Sequence, residues 1–464
     1  MPFSLVLDRF VVESPFCVMA RGLLESAFAP AKIDALFDAH AVAQSTRTLL
    51  FSSAVEIMSW VVCRIRGSVH ASCKHLKKHG RLPVSVDAVY DKLARVELQT
   101  SRALVCHTAA EVRAILAHLG PEPPPLLPGY DARVVDGNHP EGTQHRLGVL
   151  REQGGGALPG VAVAVLDPRA RLIEDVVLSQ DAYAQECTLF ESILQEVRER
   201  QLWIADRHYC TSAILFGIHR RKARFLIRQH GGHLRWQLVG ERRRVGRTAT
   251  GEVYEQQVVL TDPDSGEQMT ARRVTVELDE PTRDGDKEIH LLSDVPQGDA
   301  TALALAELYL ERWRLEGAFQ TLTASLNCEP NTLGYPPAAL FAFCVAVGCY
   351  NLLGAMLAAV GAAHGEAEAA KVSSHLVAEE LAMTYRGMDI AAPDQDWEGF
   401  RQADAAGLAG LLREIAARIE PKHYHKSPSR PRKAPKKPRP KSPRKHSSTH
   451  RLLNPHLYKD KDDT

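Results

Sequence analysis

Three carboxylates stand where this chain's chemistry is most readily placed. Asp136 closes the apolar run Arg133-Val134-Val135, and Asp206 closes Leu202-Trp203-Ile204-Ala205. Glu316 lies in Tyr309-Leu310-Glu311-Arg312-Trp313-Arg314-Leu315-Glu316, a stretch with helical spacing. Aspartate forms strands poorly, so one that ends a β-type run is either a turn residue or a group held at a site. Two strand ends and a helix that gather three carboxylates would offer hard oxygen ligands to divalent ions, Mg2+ or Mn2+ rather than zinc. A pair of such ions roughly 3.5–4 Å apart is what phosphodiester cleavage needs.

Other side chains cluster near these three in sequence. Tyr309, Arg312 and Glu316 are spaced i, i+3 and i+7, which at about 100° per residue puts them within an arc of roughly 60° on a helix. Thr323 falls on the same face. The plain alternative is a surface face on which Arg312 pairs with Glu316. Arg228 stands at the end of a predicted strand and is a candidate phosphate contact, with a structural salt bridge as its alternative. Trp236 is a candidate to stack on an extruded base, against packing in a core. His139 and His145 lie near the first aspartate, but their spacing defines no metal site. Gly154-Gly155-Gly156 lacks the Lys-Ser/Thr ending of a phosphate loop and reads as a hairpin turn.

The elements that must position these groups change character along the chain. Residues 1–118 read as helical, with Ser85 as a cap before Val86-Asp87-Ala88. A basic edge of Arg64, Arg66, Lys74, Lys77, Lys78 and Arg81 would suit DNA or plain solvation equally. Five prolines between Gly120 and Gly129 make 119–130 a stiff linker. Beyond the linker the order is β-β-β-α-β-α-β: strands at 133–135, 161–166 and 171–178, a helix near 189–197, a strand at 202–205, a helix from Thr211 and a strand at 224–227. This fits a mixed sheet in which three strands meander and later ones cross over helices. Residues 230–289 read as a β-rich insertion. A helix at 302–322 and further helices to about 419 come after it.

With 464 residues, 45% apolar and 24% charged, the chain reads as soluble and globular, with roughly two to four domains. The net charge of +1 hides an asymmetry. Residues 421–464 hold 14 Lys/Arg against 3 Asp/Glu, which leaves 43 and 53 in the body. An acidic body with a basic, Pro-rich, disordered tail points to a polyanionic partner. Nine cysteines show no Cys-x-x-Cys pair, and Cys63, Cys106, Cys344 and Cys349 have apolar surroundings, as reduced core cysteines do. The N-terminus lacks the pattern of a secretory signal. Residues 330–363 carry no charged side chain and are long enough to cross a bilayer. Pro336-Pro337, Tyr335 and Asn351 favour instead a helix packed on all sides in a core, and no membrane is expected.

Several motifs, taken together, resemble one family. Tyr309-x-x-Arg312-Trp313-x-x-Glu316-x-x-Phe319 resembles the Tyr-Arg-Glu-Lys signature of DDE transposases of the bacterial insertion-sequence-four family. Asp136-Gly137-Asn138, with Thr143 and His145-Arg146-Leu147, is similar to that family's first catalytic strand and turn. Ala205-Asp206-Arg207-His208-Tyr209-Cys210-Thr211 is similar to its second. Cys328-Glu329-Pro330-Asn331-Thr332-Leu333-Gly334-Tyr335-Pro336 is similar to the family's stretch just beyond the third. The likeness runs from about Asp131 to the tail and is vaguer before it.

The resemblance implies a ribonuclease-H-like mixed-sheet core, which the pattern of elements places at 131–229 and 290–335, with the helical domain at 1–118, the insertion at 230–289, C-terminal helices at 336–420 and the basic tail at 421–464. It implies two Mg2+ (or Mn2+) ions on Asp136, Asp206 and Glu316, with Tyr309 and Arg312 holding DNA; Arg228 and Trp236 remain the candidates read above from their own positions. It also implies cut-and-paste transposition through a hairpin at the transposon end, in a bacterial cytoplasm. The expected partners are double-stranded DNA with terminal inverted repeats, target DNA and a second copy of the chain. One departure is visible. Thr323 stands where the family's signature has Lys, which puts the end-binding contact in doubt and leaves the carboxylates intact. Two rivals are a stand-alone metal-dependent nuclease on the same core and an inactive, domesticated DNA-binding protein.

Overall fold

The computed structural model describes residues 3–44, 48–140, 147–151, 157–230, 232, 234–282, 285–427 and 446–458. Thr143, His145, Arg146, the Gly154–Gly156 turn and most of the basic tail lie outside the described residues.

Nine strands form one sheet. They are β1 (Asp131–Asn138), β2 (Val161–Asp167), β3 (Leu172–Ser179), β4 (Gln201–Ala205), β5 (Arg224–Arg228), β6 (Arg235–Thr248), β7 (Gly251–Thr261), β8 (Gln268–Leu278) and β9 (Glu288–Ser293). Their spatial order is β3-β2-β1-β4-β5-β9-β8-β7-β6. β1, β2 and β3 form an antiparallel meander. β4 lies parallel to β1, and β5 parallel to β4. The rest are antiparallel. Parallel neighbours need a crossover. Helix Glu186–Leu194 carries the chain from β3 to β4, and helix Ser212–Arg220 from β4 to β5. Thr211 caps the second of these, its hydroxyl accepting from the Ile214 N–H at 3.4 Å.

The strand sequences are apolar on both faces because both faces are covered. Val134, Leu202, Ile204 and Leu226 belong to one core. Val135, Trp203, Ala205, Phe225 and Ile227 belong to the other, with Phe190 and Ile193 of the first crossover helix and Ile214 and Leu215 of the second. The first core extends through the N-terminal helices and into helix Pro336–His364. Its most apolar 18-residue window has a mean hydropathy of 2.0, and 83% of that window is buried inside the protein. Its Asn351 faces β3. The amide oxygen accepts from the Ile173 N–H at 3.0 Å, and the amide nitrogen donates to the Ile173 carbonyl at 2.9 Å. An asparagine in so apolar a helix thus satisfies the backbone of an edge strand.

Two expectations need correction. The helix expected at 302–322 is interrupted. Ala302–Leu308 is α-helical, Tyr309–Arg312 is a 3-10 turn, and Trp313–Ala324 is α-helical. The arc drawn for a regular helix therefore does not describe the Tyr309 face. The strands of the β-rich region at 230–289 extend the main sheet beyond β9, which bonds to β5 on one side and β8 on the other. Cys106 is exposed, with its sulfur 3.4 Å from Asp175 Oδ1, whereas Cys63, Cys344 and Cys349 are buried; all nine cysteines are free.

Within 421–464, two described stretches are held by the body. Lys426 N–H donates to the Lys371 carbonyl at 2.8 Å. Ser447–Ser448 pairs in parallel with Ala157–Leu158. Arg451 forks onto both oxygens of Asp181, at 2.9 and 3.0 Å, and Ser448 Oγ donates to the same carboxylate at 3.0 Å.

Candidate active site

The two aspartates stand at the same end of two adjacent central strands, and Arg312 links the first of them to Glu316. Parallel pairing of β1 with β4 ends at Val135 opposite Ala205, so Asp136 and Asp206 are the next residues on adjacent strands. Asp136 stays within β1, opposite Ala164 of β2, and Asp206 leads into a 3-10 turn at Arg207–Tyr209. By strand alternation Asp136 shares the face of Val134. Helix Trp313–Ala324 packs on that face through Leu315, Ala318 and Leu322, which belong to the same core as Val134.

Arg312 joins the groups. Its Nη1 donates to Asp136 Oδ2 at 3.1 Å and its Nη2 to Glu316 Oε1 at 2.7 Å. Its side chain is 12% exposed and Glu316's is 52% exposed. Burial works against the Arg312 charge, but Tyr309, Asp136, Asp206 and Glu316 hold its guanidinium above the ordinary range. Its Nε is buried without a hydrogen-bond partner among the described residues. Tyr309 is 8% exposed, and its hydroxyl lies 3.5 Å from Asp206 Oδ1. Burial and the neighbouring Asp206 push that hydroxyl's pKa up, with Arg312 and Arg228 opposing. The Asp136 carboxyl is pushed up to about 6. Burial is the main cause, Glu186 and Asp206 add to it, and Arg312 and the Gly137 N–H work against it.

The other expected contacts are placed differently. Arg228 forms a salt bridge with Asp286 at 2.6 Å and lies close enough to Tyr309 to act on its charge. Trp236 is not in a core. It is 37% exposed on β6, the outer strand, with the Arg273 guanidinium 5.5 Å from its ring centre. Thr323 bonds back to the Phe319 carbonyl at 3.0 Å. His139 Nδ1 lies 3.9 Å from Glu186 Oε1.

Glu186 was not singled out from the sequence. It opens the first crossover helix, and its carboxylate lies against Gly137, so that a Cβ there would overlap it. The sequence signal was Gly137 itself, since glycine inside a strand marks a close approach.

Carboxylate oxygens suit a hard divalent ion. Among the described residues no three His, Cys, Asp or Glu side chains already form a cage for one. The cation held between Asp136 and Glu316 is the guanidinium of Arg312, a stand-in that shows where positive charge is accommodated. The carboxylates therefore fit the ion in chemistry, and Arg312 is a competing cation between two of them, not a ligand.

Residues 128–352 match the family model described as the transposase DDE domain. The matched span contains Asp136, Asp206, Arg312 and Glu316. No curated protein matches the chain.

Proposed function

We propose that this chain is a DDE transposase of the insertion-sequence-four type, cleaving transposon ends and joining them to target DNA. One observation carries the reading. Within the matched domain, two aspartates stand at the adjoining ends of a parallel strand pair, and Arg312 ties the first of them to Glu316. The strand order β3-β2-β1-β4-β5, with β2 antiparallel to its neighbours, supports a ribonuclease-H-like core.

Asp136, Asp206 and Glu316 are the residues that would hold two Mg2+ or Mn2+ ions. Bound there, such ions supply Lewis-acid activation of the attacking and leaving oxygens of a phosphodiester. Arg312, whose Nη1 and Nη2 are held by Asp136 and Glu316, would turn its planar fork to a DNA phosphate once ions take those carboxylates, and Tyr309 holds Asp206 from the core side. Arg228 and Trp236 stay secondary contacts, because Asp286 and Arg273 already engage them. The partners are DNA bearing terminal inverted repeats, target DNA and a second copy of the chain.

The test is a short duplex carrying the element's terminal inverted repeat, incubated with Mg2+. The wild type is expected to nick at the repeat boundary and to join the freed end to a second duplex, while Asp206→Ala does neither. Unchanged cleavage by Asp206→Ala would overturn the assignment of the site. Cleavage without end preference or joining would favour the nuclease.

A further inference from the structure

We propose that Glu186 is a fourth acidic residue of this centre, a positioning residue that backs it from the opposite face of the sheet and adds charge for a divalent cation. The proposal rests on the transposase reading and deepens it. Asp136 faces the core that holds helix Trp313–Ala324, and Gly137, one residue on, faces the other. Glu186 lies on that second face, as do Phe190 and Ile193 further along its helix. Any side chain at 137 would displace the Glu186 carboxylate, so the close approach depends on glycine.

Glu186 also reaches the second aspartate's turn. Tyr209, three residues beyond Asp206, is fully buried and donates its hydroxyl to Glu186 Oε2 at 3.1 Å. One carboxylate thus touches the strand of Asp136 and the turn after Asp206, tying together the two chain segments whose spacing the site depends on. It also adds negative charge beside a group of carboxylates whose hydrogen-bonded cation is Arg312. Charge and position of this kind act on a bound ion without ligating it.

The experiment is titration with Mn2+ at pH 8, reading the free-ion electron paramagnetic resonance signal, with melting temperature measured on the same samples. Glu186→Gln keeps the shape and can still accept from Tyr209. It is expected to melt like the wild type and to bind Mn2+ about tenfold more weakly. Gly137→Ala, which displaces the carboxylate by a different route, is expected to show the same weakening. Asp136→Asn is the reference. If Asp136→Asn weakens binding and Glu186→Gln matches the wild type, this proposal fails and the transposase reading survives. If the wild type binds no Mn2+, or Asp136→Asn binds as tightly as it does, both fail.

Discussion

Asp136 is the residue at which stability and function pull apart most clearly. Its carboxyl titrates at about 6 in the folded chain, against an ordinary value of 3.8. The net shift is upward even with Arg312 beside it, so the folded site favours the neutral acid. Ionising Asp136 therefore costs folding free energy. That cost is absent below the unfolded value, grows as pH rises toward 6, and is complete above it. Asp136→Asn carries no such charge. Without divalent ions it is expected to be more stable than the wild type at pH 8, on the order of 2 kcal/mol, and to match it at pH 3. Urea melts at the two pH values check this, and an equal difference at both would refute it. The placement of Asp136 and Asp206 at adjoining strand positions was legible because each ends an apolar run. Glu186 was not, since Gly137 signals a close approach without telling which distant side chain makes it.

At the scale of elements, the strands and crossovers from 131 to 228 track their apolar runs, because a strand covered on both faces leaves an uninterrupted signal. The 3-10 turn at Tyr309–Arg312 was invisible, since its residues suit a helix as well. β6 was hard to read for the opposite reason. It is an exposed outer strand whose arginines pair with acids on its neighbours, as Arg243 does with Glu255 and Arg244 with Glu252, so no buried face imposes alternation. At the other edge of the sheet, β3 depends on Asn351. Asn351→Leu leaves the Ile173 N–H and carbonyl buried without those partners. The expected loss is about 2–3 kcal/mol, read as a lower urea midpoint with an unchanged slope. A stability equal to the wild type would show that other groups satisfy this backbone.

For the whole molecule, the helices and the sheet share one core, in which helix Pro336–His364 packs against Leu98–Leu119 and against β3. Composition pointed to separate helical and catalytic parts and carried no trace of this shared packing. The C-terminus was equally hidden. The basic, Pro-rich composition of 421–464 masks the short run Ser447-Ser448-Thr449-His450-Arg451, which docks on the loops around β2 and β3. Arg451→Ala removes the fork on Asp181 and the cation stacked near Tyr183 and Tyr458. It is expected to leave cleavage chemistry intact and to speed proteolytic loss of the C-terminal residues several-fold, monitored by mass spectrometry. Equal rates in variant and wild type would mean the docking contributes little.

That docking alters what a shortened chain means. A stop placed after Lys426 deletes the basic stretch, whose positive charge should give DNA binding a steep dependence on salt. It also deletes a foothold on Asp181, five residues before Glu186. A shortened protein that binds DNA poorly would thus confound two losses, one of charge and one of support beneath the centre. Glutamine at the lysines and arginines of 430–445, with Arg451 kept, separates them.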